Sequence, residues 1–118
     1  MEVNILGTNY QVIMGVDYNK DPEMDGLDGY IKCYTKEIHI VDLRTVSDRW
    51  KTASEKGVEV MTKNILRHEI VHGFLYESGL DASSTEISEG WAENEELVDW
   101  IALQVPKMIE AFRQADCL

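Results

Sequence analysis

Hydrophobic and polar positions change their period part-way along the chain. In the first fifteen residues Val3 and Ile5 alternate with polar neighbours, Gly7-Thr8-Asn9 offers a turn, and Tyr10 to Met14 continues with β-formers. Two short strands are predicted there. Tyr30 to Tyr34 and Glu37 to Val41 flank Thr35-Lys36, with Ile38 and Ile40 on one face and Glu37 and His39 on the other, so a hairpin is expected. From about Gly57 to Ser78 the pattern turns helical. Val58, Ile65, Ile70 and Phe74 mark an apolar face, and Gly79 suits a left-handed stop. A last helix is expected from Glu89 or Asn94 to Ala115, with Asn94 as a candidate N-cap and Glu95 and Glu96 in its first turn. Pro106 either kinks this helix or divides it. Strands first and helices afterwards predict an α+β domain: a small, mostly antiparallel sheet packed on the two helices.

Between these elements lie polar connections. The segment 17–29, DYNKDPEMDGLDG, is rich in turn residues. It lacks the acidic spacing and the closing Glu of a calcium loop. Residues 81–89 form a second polar connection. With 118 residues, two prolines and eight glycines, the chain has no room for a long linker, and one domain over residues 1–118 is expected.

Charge narrows the choice of partners. A net charge of −11 opposes binding to nucleic acid through phosphate contacts, which needs clustered Lys and Arg. No apolar stretch reaches the length of a membrane span. Cys33 and Cys117 form neither a CxxC pair nor a disulfide framework, and the first fifteen residues lack the basic and apolar regions of a secretory signal. A reducing, cytoplasmic setting is therefore expected.

The chemistry concentrates in His68-Glu69-Ile70-Val71-His72, an HExxH run inside the predicted helix. Positions i and i+4 share a helix face, so both imidazoles can reach one Zn²⁺ at about 2.0–2.1 Å. Glu69, beside the metal without binding it, can act as general base on a zinc-activated water and pass the proton to a leaving amine. The bland alternative is a pair of surface or capping histidines. Against it, the run is flanked by apolar residues and contains two of the chain's three histidines. No third His lies downstream, and His39 belongs to a strand with a packing or solvent-facing role, so a carboxylate is expected to complete the site. Glu95 and Asp99 share a helix face by their i, i+4 spacing, so that Glu95 can be the ligand with Asp99 holding a ligand histidine, Asp99 being the alternative ligand. Their bland role is to complement the helix dipole.

HEIVHGFLYESGL (68–80) followed by NEELVDWIA (94–102) resembles the gluzincin clan of zinc metallopeptidases, in which a Glu on a following helix completes HExxH. The chain is also similar to minigluzincins and to small phage- and prophage-encoded proteins assigned as zinc peptidases. The resemblance covers roughly residues 27–112. It implies Glu95 as the third zinc ligand, Asp99 as the residue holding a ligand histidine, and peptide hydrolysis as the activity. A phage-encoded protein of this kind would work in the host cytoplasm. The resemblance further implies an extended peptide substrate paired with an edge strand, for which Glu37 to Val41 is the expected one. Larger gluzincins stabilise the oxyanion from a second domain that this chain lacks. Tyr76, one turn beyond His72, is the first candidate for that role, ahead of Tyr30 and Tyr34. Gly73 departs from good helix-forming sequence, at a cost of about 0.5–1 kcal/mol relative to Ala.

Two other functions compete with an active peptidase. The zinc scaffold can be latent, with the tail 113–118 in the cleft and Cys117 near the metal. Alternatively the acidic chain binds a basic host protein without any metal. The acidic residues gather at loops and helix starts rather than on one face, which counts against the second.

Overall fold

The computed structural model describes residues 1–83, 92 and 94–118. The fold is α+β. Strands β1 (Glu2–Ile5), β2 (Thr8–Val16), β3 (Gly29–Lys32) and β4 (Glu37–Val41) precede helices α1 (Asp48–Lys51), α2 (Glu55–Glu77), α3 (Leu80–Ser83) and α4 (Glu95–Gln114). The connection expected at residues 81–89 lies largely outside the described residues, as does Trp91.

The strands form one sheet in the order β1-β2-β4-β3. β1–β2 and β3–β4 are antiparallel, whereas β2 and β4 are parallel. That order corrects one expectation. Glu37 to Val41 is an interior strand with a neighbour on each side, so its backbone groups are already paired and cannot receive a peptide. The edges are β1 and β3. Hairpin periodicity shows only that β3 and β4 pair with each other. The parallel pairing of β4 with β2 depends on the path of the chain between them.

Local chemistry accounts for most boundaries. Ile5 pairs with Thr8, which leaves Leu6 and Gly7 as a two-residue turn. Both have positive φ, +50° and +92°, the geometry that matches strand twist. The turn is thus one residue earlier than Gly7-Thr8-Asn9. α2 begins at Glu55 because the Ser54 hydroxyl accepts from the Gly57 N–H at 3.0 Å. It ends where Gly79 adopts φ +82°. Asn94 caps α4, its side chain accepting from the Leu97 N–H at 3.0 Å. Pro106 lies inside α4, which runs on unbroken through Gln114.

The main core lies between the sheet and α2. Ile5, Tyr10, Val12, Ile38 and Ile40 are buried beneath Ile65 of α2, and Met24 from the 17–28 loop and Leu43 close its sides. Gly73 now has a reason. A Cβ there would stand 2.6 Å from Ile5 Cδ1 and 3.2 Å from Ile31 Cδ1, so glycine lets the helix approach the sheet closely. Phe74, expected on the core face, is half exposed. It borders an apolar cleft between α2 and α4, lined also by Val71, Leu75, Ile101 and Val105.

Candidate metal centre

α2 presents one side to the sheet and another to α4, and the candidate site lies at the border of the two. His68 and His72 stand one turn apart and are partly buried. Glu69, which follows His68 in the chain, is 6% exposed. α4 lies antiparallel beside this stretch, so that His72 meets Glu95 and His68 meets Asp99.

Three side chains converge on one point. His68 Nε2 and His72 Nε2 are 3.1 Å apart. Glu95 places Oε2 at 3.0 Å from His68 Nε2 and Oε1 at 3.1 Å from His72 Nε2. Two ligands of a tetrahedral zinc, each about 2.0–2.1 Å from it, stand roughly 3.3 Å apart. The donor set of two imidazoles and a carboxylate, with Glu95 Oε2 also 3.4 Å from His72 Nε2, has separations compatible with a zinc ion. Among the described residues, His68, His72 and Glu95 are the group that could hold a metal. The same contacts can also be read as hydrogen bonds within a metal-free cluster.

Asp99 plays a different part. Its Oδ1 lies 2.7 Å from His68 Nδ1, on the far side of the ring from Glu95. A carboxylate there favours the tautomer with the proton on Nδ1 and leaves Nε2 with its lone pair facing Glu95 and His72. Glu95 thus lies at the convergence point and Asp99, the alternative ligand by spacing, behind His68.

Burial of Glu69 pushes its carboxyl up to about 7. Nearby His68 acts in the opposite direction, and Glu95 adds to the rise. A carboxylate with that proton affinity is suited to take up and release a proton near neutral pH.

A cleft runs over this cluster beside β3, lined by Leu27, Gly29, Tyr30, Ile31, His68, Glu69, His72 and Tyr76. Tyr76 therefore shares the cleft with the histidines. Its ring packs edge-on to Tyr34 at 6.4 Å, with the Lys36 ammonium 5.1 Å from its centroid. Of the other two tyrosine candidates, Tyr30 also lines the cleft but its hydroxyl is engaged, and Tyr34 lies outside it. The Tyr30 hydroxyl donates to Asp21 Oδ2 at 2.7 Å, and Tyr34 is 92% exposed. His39 stacks on Tyr30, with ring centroids 4.7 Å apart, away from the convergence point.

The tail does not lie near the cleft. α4 carries the chain about 30 Å from Glu95 before it ends, and residues 113–118, Cys117 included, are exposed. Leu27, in the loop before β3, and Gly29, the first residue of that strand, were missed in sequence because neither stands in a periodic pattern. No helix among the described residues is long and apolar enough to cross a membrane.

Comparison with protein-family models, with curated proteins and with solved structures finds no match.

Proposed function

We propose that this protein is a zinc-dependent peptidase of gluzincin type, with His68, His72 and Glu95 as metal ligands and Glu69 as general base. The observation that carries the reading is the convergence of His68 Nε2, His72 Nε2 and Glu95 Oε2 within 3.0–3.4 Å of one another, directly beside a buried carboxyl. A bound zinc supplies Lewis acidity, polarising a carbonyl and lowering the pKa of water beside it. Glu69 takes a proton from the attacking water and returns it to the leaving amine, a task suited to its raised proton affinity. Asp99 keeps His68 in the tautomer that offers Nε2 as a donor. Tyr76 faces the same cleft and is the candidate to steady the oxyanion. An extended peptide would lie along β3, the sheet edge that lines the cleft, and pair through its backbone.

The test joins metal content to turnover. Elemental analysis should find about one zinc per chain in the wild type and none in His72→Ala. Hydrolysis of a mixed peptide library should be lost in Glu69→Gln, by roughly 10²–10⁴-fold, while zinc is retained. Wild-type protein that takes up no zinc, even after dialysis against it, would sink the reading.

A further inference from the structure

Pro106 stands in the interior of α4 and has no N–H to give to the carbonyl four residues earlier, which is that of Ala102. Ala102 is 1% exposed, so water cannot readily take the place of the missing donor. The donor comes from the other helix instead. Arg67 Nε gives its hydrogen to the Ala102 carbonyl oxygen at 2.7 Å, while Nη2 faces Asn64 Oδ1 at 3.5 Å.

The position of this bond gives it meaning. Arg67 immediately precedes His68, and Ala102 lies one turn beyond Asp99. The polar contacts between the antiparallel helices therefore follow one another: His72 with Glu95, His68 with Asp99, Arg67 with Ala102. Apolar residues support the same helix pair. The buried cluster on this side comprises Leu75, Ala92 and Val98, with Val71 against it.

We propose that Arg67 is a positioning residue. Its guanidinium grips the carbonyl that Pro106 leaves free, and so holds α4 at the register where Glu95 and Asp99 meet the two histidines. Without the proline that carbonyl would be taken by the helix itself. Without the arginine it would be buried and unpaired, and α4 would lose the contact that fixes its register on α2. The effect on metal affinity rests on the zinc reading above. The effect on the helix register does not.

Two readouts on the full chain test the proposal: the tautomer of His68 in zinc-free protein, from imidazole nitrogen NMR, and zinc affinity by chelator competition. Arg67→Met is expected to lose the preference for the Nδ1–H form and to bind zinc about 10-fold more weakly. Arg67→Lys, which keeps a cationic donor, should stay within about 3-fold of wild type. Adding Pro106→Ala to Arg67→Met lets α4 close its own bond, so thermal stability should return while the tautomer and the affinity stay altered. That double variant also carries the test if Arg67→Met alone folds poorly. Wild-type behaviour of Arg67→Met in both readouts would overturn the proposal. So would recovery of both in the double variant, since Arg67 would then only satisfy a carbonyl. If the wild type itself takes up no zinc, the peptidase reading fails, and the tautomer comparison alone decides the role of Arg67.

Discussion

The two sides of α2 are built differently. Toward the sheet the helix buries Ile65 among fully enclosed aliphatic side chains and comes so close that Gly73 has no space for a methyl group. Toward α4 it offers a small apolar cluster and a row of polar groups, Arg67, His68 and His72. α4 itself leaves Trp100 and Leu103 more than half exposed. The first interface is held by close packing, which tolerates little change. The second, among the described residues, carries the directional contacts that make up the candidate site. Disturbing the sheet side should therefore unfold the protein, and disturbing the α4 side should alter the site while the sheet core survives.

The largest expected effect is on the packed side. Ile38→Ala removes three carbons from a fully buried position and should destabilise by about 4 kcal/mol, whereas Leu75→Ala, at the edge of the open cleft, should cost about 2 kcal/mol. Urea unfolding of zinc-free protein measures both. Equal losses would erase the contrast between the two interfaces.

Glu69, which lies where the two meet, sharpens the comparison through pH. Its carboxyl holds a proton up to about 7 in the fold, against an ordinary 4.5. Below about pH 4.5 it is protonated whether folded or not. Between 4.5 and 7 the folded chain keeps a proton that the unfolded chain has lost, so stability falls as pH rises, by about 3 kcal/mol in all. In zinc-free protein Glu69→Gln should match wild type near pH 4.5 and exceed it by up to about 3 kcal/mol above pH 7. Parallel stability curves for the two proteins across that range would show that burial does not penalise the carboxylate.

Zinc should strengthen the weaker interface by tying α4 to α2. At 100 times its dissociation constant it would add about 2.7 kcal/mol, read as a rise in melting temperature that His72→Ala abolishes. The smallest effect belongs to Asp99→Ala, which frees His68 without removing a ligand and should weaken zinc binding about 10-fold. A loss as complete as that of His72→Ala would instead make Asp99 a ligand, against the geometry.

The candidate residues were legible because their spacing is local. An i, i+4 relation on one helix decides which side chains share a face, so His68 with His72 and Glu95 with Asp99 could be paired from the chain alone. What joins those two pairs is not local. Glu95 at the convergence point and Asp99 behind His68 differ only through the register of α4 on α2. The interior position of β4 was illegible for the same reason. Its alternation of Ile38 and Ile40 with Glu37 and His39 looks the same in an edge strand and an inner one. Met24 also escaped notice, since a single apolar residue in a polar loop has no periodic partners.

Periodicity and end chemistry in this sequence determined where the helices and most strands lie, which faces are apolar, and that His68 shares a helix face with His72 and Glu95 with Asp99. They act over a few residues, through backbone hydrogen bonds and the direction of each Cβ. The tertiary structure alone decided the strand order, the need for glycine at position 73, the burial that raises Glu69, and the meeting of Arg67 with the carbonyl freed by Pro106. Each depends on two distant segments occupying the same small volume, and close packing selects that arrangement only when the whole chain is assembled.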